Sequence, residues 1–235
     1  MGSGEGMVTA GKIFTLREEM GLKAIAARLK GYREERVQPL EGGGDVTLLT
    51  EISNLTLTAD ELKGIFSQDN VVDIYQRGKF IQQVKTRETP FVFSFHRGHV
   101  LLTVLERKLQ ANNIANQLSR ALFVTSGQIV EAKILPETLK AFHERNPEDT
   151  KVIFFDEVDM PNIDKLSLYG SSLINTSLYE DYCSHGKIWY LVFKSKKYGY
   201  IVGVTRNAIV TVFNNISKDE FMDYVKNEIF PLLSL

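Results

Sequence analysis

Apolar positions recur with two periods along this chain. Residues 187–193, 198–204 and 208–213 are dense in β-branched and aromatic side chains, and the links between them, 194–197 and 205–207, are short. That pattern predicts three antiparallel strands. Trp189, Leu191 and Phe193 alternate with Ile188, Tyr190 and Val192, so both faces of the meander are apolar. One face is expected to take the final helix and the other a second layer or a second subunit. The final helix is predicted over 218–229. Ser217 and Glu220 have the spacing of a capping box, and Phe221, Tyr224, Val225 and Ile229 share one face.

Upstream, strands are expected at 46–52, 71–75, 79–85, 90–95, 128–135 and 151–155, with turns at Arg77-Gly78 and Arg87-Glu88. Thr58 and Glu61 predict a capped short helix running to Phe66. Residues 99–105 fit a strand or the start of a helix. Residues 107–122 fit a helix that buries Leu109, Ile114, Leu118 and Leu122. Pro136 opens another helix, which Asn146-Pro147 breaks. Residues 156–185 read as a long irregular connection. The order strand, strand, loop, helix occurs near 90–122 and again near 198–230, which suggests two related halves.

The N-terminal part has a different character. Residues 1–6 resemble an expression tag ahead of Met7. Residues 7–40 carry seven Lys or Arg against four acids, a net of +3. Leu22, Ile25, Ala26 and Leu29 form a stripe at helical spacing, and Gly42-Gly43-Gly44 reads as a flexible joint. A stripe this short has no core of its own. It packs on the rest of the chain, on a second copy or on a partner, with Leu22, Ile25 and Leu29 as anchors and Arg28 and Lys30 at the rim. The string from Leu22 to Leu29 also matches the first helix of a helix-turn-helix, although Glu34, Glu35 and Pro39 make a poor recognition helix after it. A partner peptide fused through the glycine joint is a further reading. The organisation expected is therefore a tag at 1–6, an amphipathic helical arm and linker at 7–44, an α+β half at 45–150, and a meander with its helix at 151–235. In fold class this is α+β, a largely antiparallel sheet with packed helices, preceded by a helical N-terminal arm.

Composition narrows the classes. The chain has 235 residues, 43% hydrophobic and 24% charged, with a net charge of −1, which fits a globular protein with a real core. No apolar run reaches the roughly 20 residues of a membrane-spanning helix, and no secretory signal is read. A single cysteine, Cys183, excludes an internal disulfide and a paired-cysteine metal site. Cytoplasmic location is expected.

Several residue groups can carry chemistry. His96 and His99 flank Arg97-Gly98, and with Glu106 or Asp156 they could hold a metal or act as an acid–base pair, though spacing sets no third ligand. Glu131 and Lys133 form an E-x-K triplet, which in nucleases pairs a metal-holding carboxylate with a lysine that favours the attacking water. No acid precedes it at the required place, and a cross-strand ion pair is the plainer reading. Asp156, Glu157 and Asp159 follow a strand and read as a cation site or a solvated turn. Lys194, Lys196 and Lys197 beside Tyr198 and Tyr200 read as a phosphate grip or a soluble hairpin end. Cys183 and His185 are too close in sequence to imply a nucleophile pair. The Walker, dinucleotide, zincin and hydrolase-elbow motifs do not occur.

These observations point to a non-catalytic protein-binding or regulatory module that contacts a protein partner, or a second copy, through the N-terminal helix or the C-terminal sheet face. The alternatives are a metal-dependent enzyme on nucleic acid using Glu131, Lys133, His96 and His99, and a DNA-binding transcription regulator. No cofactor, resident metal or membrane is expected.

Overall fold

The computed structural model describes residues 8–146 and 148–235. The expected tag lies outside the described residues, as does Pro147 of the expected helix break. Along the chain run β1 (Thr9–Leu16), α1 (Leu22–Leu29), β2 (Arg33–Pro39), β3 (Asp45–Leu57), β4 (Glu61–Gln76), β5 (Lys79–His96), β6 (His99–Val104), α2 (Lys108–Phe123) and β7 (Ile129–Glu131). There follow α3 (Pro136–Arg145), β8 (Thr150–Asp156), β9 (Leu166–Tyr169), α4 (Ser177–His185), β10 (Lys187–Lys194), β11 (Ile201–Thr205), β12 (Ile209–Val212) and α5 (Lys218–Tyr224). Twelve strands and five α-helices among the described residues make the chain α+β. The order strand, helix, antiparallel strands, helix occurs once over β1–α2 and again over β7–α5, the second time with α4 inserted between β9 and β10. The hairpin–loop–helix stretches β5–β6–α2 and β11–β12–α5 are the two similar segments read from the sequence. Among the described residues, no helix is long and apolar enough to cross a membrane.

The chain divides into two compact units. The first comprises Thr15–Val104 and Gln110–Val130; the second comprises the residues up to Phe14, Leu105–Leu109 and Glu131–Leu235. In the first unit the strand order is β2-β3-β4-β5-β6, antiparallel throughout. Strand alternation places Leu62, Phe66, Phe91, Phe93, Leu102 and Val104 on one face, and all are buried. Helix α1 packs Leu22, Ile25 and Leu29 against β3, β4 and β5. Gly64 is required here, because a Cβ on it would lie 2.5 Å from the Phe91 ring.

In the second unit the order is β1-β12-β11-β10-β8-β9. Ile153, Phe155, Leu191, Phe193, Val202, Val204, Val210 and Val212 form its buried face. Helix α3 packs on β10, where Phe142 meets Phe193 edge-on at 4.6 Å. A register shift between Ile188 and Tyr190 breaks the alternation of β10. Ile188 therefore joins Leu191 and Phe193 in the core, while Trp189, Tyr190 and Val192 share the half-buried opposite side. The capping box of α5 is present in both directions: Ser217 accepts from Glu220 N–H, and the Glu220 carboxylate accepts from Ser217 N–H.

The helical N-terminal arm is overturned. The first element is strand β1, and α1 is a single short helix between two strands. Lys12 lies in the middle of β1 yet is fully buried, so the strand carries no apolar–polar alternation to read. Strand β2 is mostly charged and pairs along its length with β3, and Gly42-Gly43-Gly44 is the turn between them rather than a free joint. No helix follows Thr58. Its hydroxyl accepts from Glu61 N–H at 3.1 Å, but that bond closes a hairpin turn from β3 into β4. A hydroxyl bonded three residues ahead serves a turn as readily as a helix cap. The turn expected at Arg87-Glu88 is also absent, because β5 runs straight through it.

Candidate functional site

The residues singled out by sequence lie in separate places. His96 and His99 are cross-strand partners closing the β5–β6 hairpin, with Arg97 and Gly98 at φ 48° and 89° in its two-residue turn. Burial, then the Arg97 charge, holds the His96 imidazole below its usual range. Among the described residues, no three His, Cys, Asp or Glu side chains gather as a metal site.

Glu131 ends β7, and its carboxylate pairs with the buried ammonium of Lys12 and, at 3.4 Å, with Lys133. Lys133 also donates to the Asn207 side chain at 2.8 Å. Burial alone would raise the Glu131 carboxyl, but the Lys12 hydrogen bond and charge, with Lys133, hold it below the usual range. Burial lowers Lys12 despite the Glu131 contact. Glu131 and Lys133 do meet, but β7 ends at Glu131, the charges nearest its carboxylate are lysines, and its cross-strand partner is Lys12.

The acids after β8 are likewise engaged. Arg206 reaches Asp156 at 2.7 Å and Glu157 at 2.8 Å, Lys187 reaches Glu157 at 2.8 Å, and His185 meets Asp159 at 2.7 Å. Burial raises the Cys183 thiol above its usual value, and His185 is turned to Asp159 instead. Of the basic hairpin, Lys196 pairs with Asp149 and Lys197 with Glu228.

The expected partner anchors Leu22, Ile25 and Leu29 are all buried within the first unit. Arg28 donates to the Leu122 carbonyl, and Lys30 is exposed. The structure does bring Leu22 near His99. Both line a cleft of about 660 Å³ in the first unit, together with Lys23, Leu57, Phe95 and Val100.

The largest gathering of exposed apolar side chains lies elsewhere in that unit. β3 pairs with β4 only as far as Thr50 and Gln68, where the Asp69 carboxylate takes the Leu49 N–H and β3 departs. β6 pairs with β5 only from Phe91 onward. Between these limits β4 and β5 pair with each other alone, in unbroken register from Asp69↔Thr86 to Gln76↔Lys79. Arg77 and Gly78, at φ 50° and 82°, close this ribbon with a two-residue turn. Tyr75 and Phe80 face each other near the tip, edge to face at 5.3 Å, and remain 66% and 75% exposed. Ile74 and Ile81 are paired on the opposite face, and both are exposed, as is Val84. The tip of the β2–β3 hairpin approaches one side. Glu41 N–H donates to the Gln82 side chain at 2.8 Å beside a hollow of about 450 Å³.

Sequence reasoning found the ribbon's turn but missed its exposure. The apolar doublets Val71-Val72, Ile74-Tyr75 and Phe80-Ile81 read like strands covered on both faces. No family model matches this chain, and no curated protein is significantly similar to it.

Proposed function

We propose that the protein is a binding module that docks another protein chain through the β4–β5 ribbon. One observation carries the reading: Ile74, Tyr75, Phe80, Ile81 and Val84 are all exposed on a stretch where β4 and β5 have only each other. A two-stranded ribbon is marginal by itself, and clustered apolar groups on it favour a covering surface. Phe80 and Tyr75 present large, stiff, aromatic area of the kind that anchors interfaces. The reading moves the anchors from the buried face of α1 to the ribbon, and it takes the protein to be cytoplasmic, in keeping with a lone free cysteine. Recovery of a tagged chain from a membrane or secreted fraction would count against that location.

A photo-crosslinking amino acid at position 80 tests the docking surface, with the same residue at position 37 as control. Val37 is 63% exposed but lies on the charged strand β2. Position 80 is expected to yield discrete protein adducts that vanish on adding Tyr75→Ser, whereas position 37 yields none. Equal adducts from both positions, or none from 80, would overturn the reading.

A further inference from the structure

We infer that the outer edge of β5 pairs with the same edge of a second copy, across a two-fold axis at Val84. This rests on the reading of the ribbon as a docking element and names the partner for one of its edges.

The two-residue turn fixes which backbone groups are free. Its closing pair, Gln76 and Lys79, is a hydrogen-bonded pair, and in an antiparallel ladder such pairs alternate with non-bonded ones. The N–H and C=O groups of Phe80, Gln82, Val84, Thr86 and Glu88 therefore point away from β4. No strand of the unit takes them, because β6 begins its pairing at Phe91. Side chains over the same stretch are exposed apart from the half-buried Gln82. A row of outward amides and carbonyls is a template for another strand.

Charge selects the register. A two-fold pairing must place outward residues opposite outward residues, so its centre falls at or between them. Centring on Gln82 sets Lys79 opposite Lys85 of the second copy, and centring on Gln83 sets Lys79 opposite Arg87. Centring on Lys85 sets that residue against itself, and centring on Thr86 sets Lys85 opposite Arg87. Of the centres from Gln82 to Thr86, Val84 alone leaves no like charges face to face: Phe80 meets Glu88, Ile81 meets Arg87, Gln82 meets Thr86, Gln83 meets Lys85 and Val84 meets itself. It is also the register that uses every free position from Phe80 to Glu88. The open edge of β4 is shorter, and at its root Asp69 is still tied to Leu49 of β3.

Area sets the strength. Edge pairing extends the ribbon in its own plane and leaves the faces of Tyr75–Phe80 and Ile74–Ile81 open, so it buries less than the ~1,200 Å² at which stable specific interfaces begin. A reversible, concentration-dependent dimer follows.

Sedimentation velocity over a concentration series on the full chain tests this. Val84→Pro removes an N–H that the ribbon does not use, so the hairpin tolerates it while the edge does not. The wild type is expected to dimerise and Val84→Pro to stay monomeric, with an unchanged circular dichroism spectrum and melt. Gln83→Lys, which opposes Lys85, is expected to weaken the dimer about tenfold, and Gln83→Glu to strengthen it. In a Cys183→Ser background, Val84→Cys is expected to form a disulfide-linked dimer on mild oxidation, because the two-fold brings identical Cα atoms within bridging range. Gln82→Cys is not. A monomeric wild type, a dimeric Val84→Pro, or crosslinking through Val71→Cys on the β4 edge instead would each overturn the inference. If the chain is monomeric but position 80 still captures other proteins, the ribbon reading stands and only the second-copy assignment falls.

Discussion

Two hairpins of the first unit share a geometry and differ in surface chemistry. β2–β3 and β4–β5 both have a far end of only two strands, and both turn through residues with positive φ. β2 presents Arg33, Glu34, Glu35 and Arg36 in succession and ends at Pro39. Charges and proline along an edge discourage a further strand. β4–β5 instead carries apolar residues, aromatic or β-branched, on both faces, with its β5 charges at Lys79, Lys85, Arg87 and Glu88. The contrast teaches that projecting hairpins are not equivalent: one lines its edge with charges and a proline, and the other leaves apolar side chains open on both faces.

Phenylalanines on one strand probe the contrast most strongly. Phe91 is wholly buried at the root of β5, and Phe80 is mostly exposed near its tip. Phe91→Ala is expected to cost about 3–5 kcal/mol in urea unfolding. Phe80→Ala should stay within about 0.5 kcal/mol. Comparable losses at both sites would mean that the ribbon tip is covered within its own chain. Next comes Gly78, at φ 82°, where alanine strains the ribbon turn. Gly78→Ala should lower stability by about 1 kcal/mol, visible as a lower urea midpoint with an unchanged slope.

The smallest effect on the ribbon should be that of mild acid. His143 in the second unit is wholly buried, and burial holds its imidazole below the usual range, with Glu144 opposing. Its unfolded form takes up a proton near pH 6.5 while the folded form does not, so stability is full above that pH and falls as acid is added. His143→Phe should flatten this slope. Residues 69–88 contain no histidine, so association through the ribbon should not follow the same titration. A dimerisation constant that tracks pH between 7 and 5.5 would break the separation.

Local signals were legible where they agreed with their surroundings. The strands β10, β11 and β12 and the capped α5 are plain in sequence because composition, short links and the Ser217–Glu220 box point the same way. β1 was hidden by Lys12, whose burial depends on Glu131, a residue 119 positions away. β2 was hidden by its charges, which local pattern reads as a solvated helix but which β3 recruits as an edge. The Thr58–Glu61 bond was legible as a bond and ambiguous as to element. For the candidate site, Arg77-Gly78 announced a hairpin, yet nothing local says where neighbouring strands stop. Exposure of Tyr75 and Phe80 follows from β3 leaving at Leu49 and β6 starting at Phe91, which are tertiary facts.

Pro90 gives the open edge of β5 a definite end. It occupies an outward position just before β6 takes over, and it has no N–H to offer. A visiting strand zipping down from the tip loses its ladder there and cannot invade the body of the sheet. The charged rim of β2 guards the far side of the sheet in this unit, so between two copies joined at β5 only the unit's short outer β4 edge stays open to a further strand, where an unguarded sheet would lengthen into a fibre.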